Sequence, residues 1–139
     1  MQKVVIDTNV LVSAFIQRGY PYFIINLFLT KNTFHLCISD DLFAEYYDVF
    51  NRKKFARYPD FINRAEMLLV YIEEKAYKYK PKIRLQLISD LDDNKLPELA
   101  AECDADFLIT GNTNDFTISN YKRTKIVTPK EYWDEHCLK

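Results

Sequence analysis

Four short apolar runs rich in β-branched and aromatic residues, Lys3–Ile6, Phe34–Ile38, Ala105–Ile109 and Lys125–Val127, punctuate the chain, and the stretches between them carry apolar residues at helical spacing. Short apolar strands alternating with helices argue for a mainly parallel sheet covered on both faces, an α/β fold. Helices are expected over Asn9–Phe15, ended by Gly19 and Pro21, and over Tyr22–Leu29. Ser39 has the chemistry of an N-cap, and Asp40 and Asp41 suit the positive end of a helix running to Asn51. A further helix after Pro59 would place Phe61, Ile62, Ala65, Leu68, Leu69 and Ile72 on one face. Ala76–Leu87 reads as a strand or extended segment, Ser89–Asn94 as a polar turn and Leu96–Cys103 as a short helix. Thr128, Pro129 and Glu131 approach a capping box that opens a terminal helix.

Composition removes several classes of function. With 139 residues, 48% of them apolar, the chain is expected to form one domain, 1–139, around one core. It has only two glycines, Gly19 and Gly111, so neither a Gly-rich dinucleotide loop nor a Walker loop can be built. Cys37, Cys103 and Cys137 are far apart and form no CxxC pair, which argues against a zinc cluster and for reduced core thiols. The apolar run before Asp7 is too short for a signal peptide, and no stretch is long enough to span a bilayer. A cytoplasmic protein without a membrane partner is expected. The 19 basic and 20 acidic residues nearly balance, so nucleic-acid binding would have to come from local patches.

The acids fall in a suggestive order. In an open parallel sheet, sites form beyond the C-terminal ends of the strands. Asp7 directly ends the first strand, Glu45 lies on the second turn of the helix after the second, Asp92 and Asp93 follow the extended region, and Asp115 follows the strand ending at Ile109. At about 100° per residue, Leu42, Phe43, Tyr46, Val49 and Phe50 make one stripe of the Glu45 helix, with Asp41 and Asp48 opposite. Glu45 falls at the edge of the stripe, beside Val49, as a residue facing a cleft would. Converging carboxylates repel unless some are protonated or a cation neutralises them. An oxygen-only donor set favours Mg2+ or Mn2+ over zinc, and such an ion supports hydrolysis of a phosphodiester by an activated water. Taken singly, each acid also has an ordinary reading: Asp93 as a helix cap, Asp115 as a loop residue. Asp7 is the hardest to read that way, because an acid ending a core strand is costly unless paired.

These residues resemble the motifs of the PIN domain family. VVIDTNVLVSA, with Asp7, Thr8 and Asn9, is similar to the first motif, and ISDDLFAEY, with Ser39 and Glu45, to the second. SDLDDNKLPELAAECDADFLITGNTNDF resembles the third and fourth together. The resemblance covers most of the chain and is nearest to bacterial members regarded as toxins of toxin–antitoxin pairs. It implies a Rossmann-like three-layer α/β/α sandwich and Mg2+- or Mn2+-dependent ribonuclease activity. It implies Asp7, Glu45, Asp93 and Asp115 as metal-binding, catalytic acids. Thr8, Asn9, Asp92, Thr110 and Asn112 would support them. The fourth motif departs from the commoner pattern: Asn112 stands where many relatives carry an aspartate after the Thr-Gly pair, Asn114 is another amide, and Asp115 would replace the missing acid. Pro97 falls within the first turn of the helix after Asp93, whose start should therefore be irregular.

There are three basic runs: Arg52 to Arg57 and Lys75 to Arg84, each with aromatics interleaved, and Lys122 to Lys125. Each has a plain reading as a solvated face, but a nuclease needs at least one to border its cleft. Lys53 and Lys54, together with Arg18 and Lys95 near the first and third motifs, are the candidate RNA contacts. His35, His136 and Ser13 lie beside no evident catalytic partner and read as structural. A cognate antitoxin and a homodimer are implied by the family only, with the aromatic segments Tyr20–Phe28 and Phe50–Phe61 as candidate surfaces. Two other functions compete with the endoribonuclease. A non-catalytic RNA- or protein-binding PIN-like module is motivated by Asn112 and Asn114. An aspartate-phosphorylated phosphatase would need an acid where Asn9 stands.

Overall fold

The structure, a computed structural model, describes residues 1–82, 94–111 and 120–139. Six strands, β1 (Gln2–Ile6), β2 (Phe34–Ile38), β3 (Tyr77–Lys78), β4 (Phe107–Ile109), β5 (Asn120–Tyr121) and β6 (Thr124–Val127), form one sheet in the order β3-β2-β1-β4-β6-β5. All neighbours are parallel except β5 and β6. The helices are α1 (Thr8–Ile16), α2 (Tyr20–Lys31), α3 (Asp40–Phe50), α4 (Phe61–Lys75), α5 (Lys95–Cys103) and the short α6 (Pro129–Glu131). The result is a three-layer α/β/α sandwich, as the strand and helix pattern required.

The central strand shows why the sequence is so apolar there. Val4, Val5 and Ile6 are all fully buried, so both faces of β1 are covered. Helix α5 packs across β1, β2 and β4, while α1 packs against α2, α3 and α4. Cys37 and Cys103 are buried, unpaired core thiols, as expected, and Cys137 is half-buried. The Ser39 Oγ accepts from the Leu42 amide at 3.1 Å, and Thr128 and Glu131 complete a reciprocal capping box. No helix among the described residues is long and apolar enough to cross a membrane.

Four local expectations are corrected. Helix α2 begins at Tyr20 and continues to Lys31, since Pro21 sits in its first turn, where a missing amide costs nothing. Ile62 is 49% exposed and lies off the buried face of α4, which is formed by Phe61, Ala65, Leu68, Leu69 and Ile72. Strand β5, which no periodicity marked, pairs with β6 across a tight turn with Lys122 at φ 52°. The terminal helix is only a three-residue turn that widens into a π-helical turn over Tyr132–His136.

The order of strands places the site. From β1 the chain moves outward through β2 to β3, then returns to the other flank of β1 as β4. The connections therefore leave the sheet in opposite directions at β1 and β4, which opens a crevice at their C-terminal ends.

Candidate active site

Asp7 and Thr110 face each other at this crevice. The Asp7 amide donates to the Ile109 carbonyl at 2.9 Å, and the Thr110 amide to the Val127 carbonyl at 2.9 Å, so both residues are fixed by the last rungs of the sheet. The fully buried Thr110 hydroxyl then donates to Asp7 Oδ2 at 2.8 Å. Asp7 is itself only 8% exposed. Burial is the largest influence on its carboxyl and raises the pKa above the ordinary value, and the charge of Glu45 raises it further. The Thr110 hydroxyl and the amides of Asn9 and Thr8 pull the other way. Asn9 is exposed in the first turn of α1.

Glu45 arrives from the neighbouring crossover. Its helix packs a stripe of Leu42, Tyr46, Val49 and Phe50 into the core, with Asp41 and Asp48 exposed on the opposite side. Glu45 lies at the edge of that stripe, its side chain 28% exposed, where the helical wheel puts it. One carboxylate oxygen, Oε2, accepts from the Thr8 hydroxyl. The other, Oε1, lies 2.8 Å from Lys95 Nζ. The helix is pinned to the strand by Tyr46, fully buried, whose hydroxyl donates to the Ile6 carbonyl. Burial, with the charges of Asp7 and Glu45 added, holds the Tyr46 phenol well above its ordinary pKa.

The third helix of the site is α5. It starts irregularly, as Pro97 leads one to expect: Asn94 precedes it in a helical rather than extended conformation and makes no side-chain cap. Glu98, one turn beyond Asn94 on this helix, is with Asp7 the second buried acid among the described residues. Sequence reasoning misses it, although its neighbours Leu96, Pro97, Leu99 and Ala100 are all buried. Its setting in an apolar run is the signal that could have found it.

Among the described residues, no group of three His, Cys, Asp or Glu side chains gathers closely enough to hold a metal ion. Asp92, Asp93, Asn112, Asn114 and Asp115 lie outside the described residues. What the described part contributes is an all-oxygen set, Asp7 and Glu45 with the Thr8 and Thr110 hydroxyls. That set suits a hard cation, and a cation would relieve the charge repulsion that raises Asp7.

Of the four candidate RNA contacts, only Lys95 meets the acids. Arg18 follows the far end of α1, about 13 Å along the helix axis from Asp7, with its guanidinium over the Tyr22 ring. Lys53 and Lys54 lie in a single 3-10 turn beyond the far end of α3. Phe55 beside them is buried, stacked on Phe61, and so offers no platform to a base. Lys78 pairs with Asp40 at 3.3 Å, and Arg123 with Asp106 at the opposite end of the sheet. His35 stacks on Tyr77 and His136 on Phe107, both away from the acids. Of the candidate partner surfaces, Phe50, Phe55 and Phe61 are core, whereas Phe23 is partly exposed. A separate apolar groove of about 430 Å³ runs between α1, α2 and α4, lined by Phe15, Ile25, Leu29, Met67 and Tyr71.

Residues 3–114 match the family model described as PIN domain. No protein of curated function matches the chain. Among solved structures, the crystal structure of VapBC2 from Rickettsia felis bound to a DNA fragment from its promoter is similar, with a TM-score of 0.56 and 16% identity over 91% of this chain and 98% of that one. At that identity the likeness is one of fold. The family match spans most of the chain and contains Asp7, Glu45 and Lys95: the chain belongs to the PIN domain family.

Proposed function

We propose that this PIN domain is a divalent-metal-dependent endoribonuclease and the toxin of a toxin–antitoxin pair. The observation that carries the reading is the meeting of Asp7, from the end of β1, with Glu45, from α3, at the crevice between β1 and β4. Two carboxylates are held there by dedicated hydroxyls, Thr110 on Asp7 and Thr8 on Glu45. A bound Mg2+ or Mn2+ would activate a water and stabilise developing charge on the phosphodiester. Asp7 and Glu45 would hold it, with the remaining acidic donors drawn from Asp93 and Asp115 and with Asp92 and Asn112 behind them. The Thr110 hydroxyl favours the ionised, ligating form of Asp7 against the pull of burial. Tyr46 fixes the distance between the two acids by tying α3 to the last residue of β1.

An antitoxin is the proposed protein partner. The similar VapBC2 structure is bound to a DNA fragment from its promoter, and the resemblance of this chain to toxin components motivates the partner. The apolar groove between α1, α2 and α4, with Met67 and Leu29 exposed at its rim, is surface that such a partner would cover. Single-turnover cleavage of RNA with Mg2+ and Mn2+ tests the catalytic proposal. Wild type should cleave only with added metal, and Asp7→Asn should lose about 100-fold or more, at least as much as loss of a supporting residue costs a metal site. Equal, metal-independent cleavage by both proteins would refute it.

A further inference from the structure

Glu45 already has a cation on it. Lys95 Nζ sits 2.8 Å from Glu45 Oε1, and the two side chains are only 21% and 28% exposed. The pair is therefore less screened by water than a surface ion pair. The other oxygen of Glu45 is taken by the Thr8 hydroxyl. Both oxygens of this acid are thus engaged, one by a neutral donor and one by a full charge.

The position of Lys95 is not explained by its own helix. It is the first residue of α5, at the positive end of that helix, where a basic side chain is electrostatically disfavoured. What draws it there is the acidic crevice. Arg18, Lys53 and Lys54 lie at the far ends of α1 and α3, so Lys95 is the one of the four candidate contacts that reaches it. A divalent ion and an ammonium on one carboxylate oxygen repel each other strongly in a half-buried site, so binding of the ion disfavours the Lys95 contact.

We propose that Lys95 is a resident counter-ion that the incoming metal displaces from Glu45, and that the displaced ammonium then binds a phosphate oxygen of the RNA. The inference rests on the metal-dependent reading above and adds the order of events. In the metal-free protein Lys95 neutralises Glu45 and keeps the crevice from collecting stray cations. When Asp7 and Glu45 take a divalent ion, Lys95 gives up its contact with Glu45 at the mouth of the same crevice. Its flexible stem and three donors suit it to meet a phosphodiester. Metal binding and substrate recognition are coupled through one side chain, which positions the substrate and transfers no proton.

The test measures binding, not turnover. Mn2+ affinity is measured calorimetrically for wild type, Lys95→Met and Asp7→Asn. Affinity for a labelled single-stranded RNA is measured by anisotropy in EDTA and in Ca2+, a hard cation chosen to occupy the site. Lys95→Met should bind Mn2+ about tenfold more tightly than wild type, a change of about 1.4 kcal/mol. Its RNA affinity should fall about tenfold with Ca2+ and stay unchanged in EDTA. Mn2+ affinity equal to or weaker than that of wild type would overturn the proposal, as would an equal loss of RNA affinity with and without Ca2+. If wild type and Asp7→Asn bind Mn2+ alike, the metal site itself fails and this inference falls with it. Circular dichroism checks the fold. Should Lys95→Met not fold, Lys95→Gln, which keeps a hydrogen-bond donor toward Glu45 without the charge, takes its place, and the same results support or overturn the proposal.

Discussion

Replacing Thr110 by valine removes one hydroxyl and little else, because the two side chains have nearly the same shape. The hydroxyl lost is the one that donates to Asp7 Oδ2 at 2.8 Å in a fully buried position. A hydrogen bond to a charged group contributes roughly 1.5–3 kcal/mol, and one to a neutral group about 0.5–1.5 kcal/mol. The cost of Thr110→Val should therefore depend on whether Asp7 is ionised. The folded pKa of Asp7 is raised above the ordinary 3.8, chiefly by burial, so its ionised form lowers the stability of the metal-free fold. That penalty is absent below 3.8, where folded and unfolded chains are both protonated, and grows as pH rises through the folded pKa. Loss of the hydroxyl raises the folded pKa further, so the gap between variant and wild type is smaller in acid, where only the neutral hydrogen bond is lost, and larger at neutral pH. Urea unfolding in EDTA, repeated from pH 4 to pH 8, should show a stability gap that widens to roughly 1.5–3 kcal/mol at pH 8. In a chain of 139 residues this corresponds to roughly 5–10 °C in Tm. A gap that is constant across this range, or absent, would refute the assignment of Thr110 as the group that stabilises the Asp7 carboxylate.

Three smaller perturbations test the surroundings of the same site. Tyr46→Phe strips the Ile6 carbonyl of its phenolic donor and should cost roughly 1–3 kcal/mol at pH 7, measured by chemical denaturation. Because burial raises the folded pKa of Tyr46, wild type should also lose stability as pH climbs past 10, and the phenylalanine variant should lose less there. Ser39→Ala removes the cap that accepts from Leu42 and should lower stability by about 1 kcal/mol, with recovery in Ser39→Asp. Thr8→Val frees Glu45 Oε2 and should slow RNA cleavage roughly 10–100-fold, with a smaller loss of stability than Thr110→Val because Glu45 is partly exposed and keeps Lys95. Unchanged cleavage would show that Thr8 does not orient Glu45.

The fold was legible because its strands are written in β-branched runs that stop at polar residues. Val4-Val5-Ile6 followed by Asp7 states both a buried strand and its end. Ser39 followed by two aspartates marks the start of α3, and the helical wheel of that helix alone placed Glu45 at the rim of its apolar stripe. What periodicity could not reach was pairing over two residues. Strand β5 is only Asn120–Tyr121 and owes its existence to the turn at Lys122 and to β6 beside it. Ile62 satisfied the spacing of the buried face but missed it, since the stripe of α4 needs only its neighbours Phe61 and Ala65 at that level. At the site, Asp7 was readable as a costly strand-end acid. The Lys95–Glu45 pair was not, because it joins helices 50 residues apart in sequence, and Lys95 reads from its place in the third motif only as a contact to RNA.

The two ends of the sheet constrain how anything can attach to this protein. The outermost strands, β3 and β5, are each two residues long. Tyr79 already commits its amide to the Ile38 carbonyl at the β3 edge, and Lys78 puts a charge there. So short and charged an edge, among the described residues, gives an incoming chain too few unpaired backbone groups to zip onto, and it discourages stacking of copies into fibrils. Recruitment by strand addition is thereby disfavoured. A protein partner is left to read the molecule through its helices, and side-chain fit rather than a generic backbone ladder would then decide which partner is accepted.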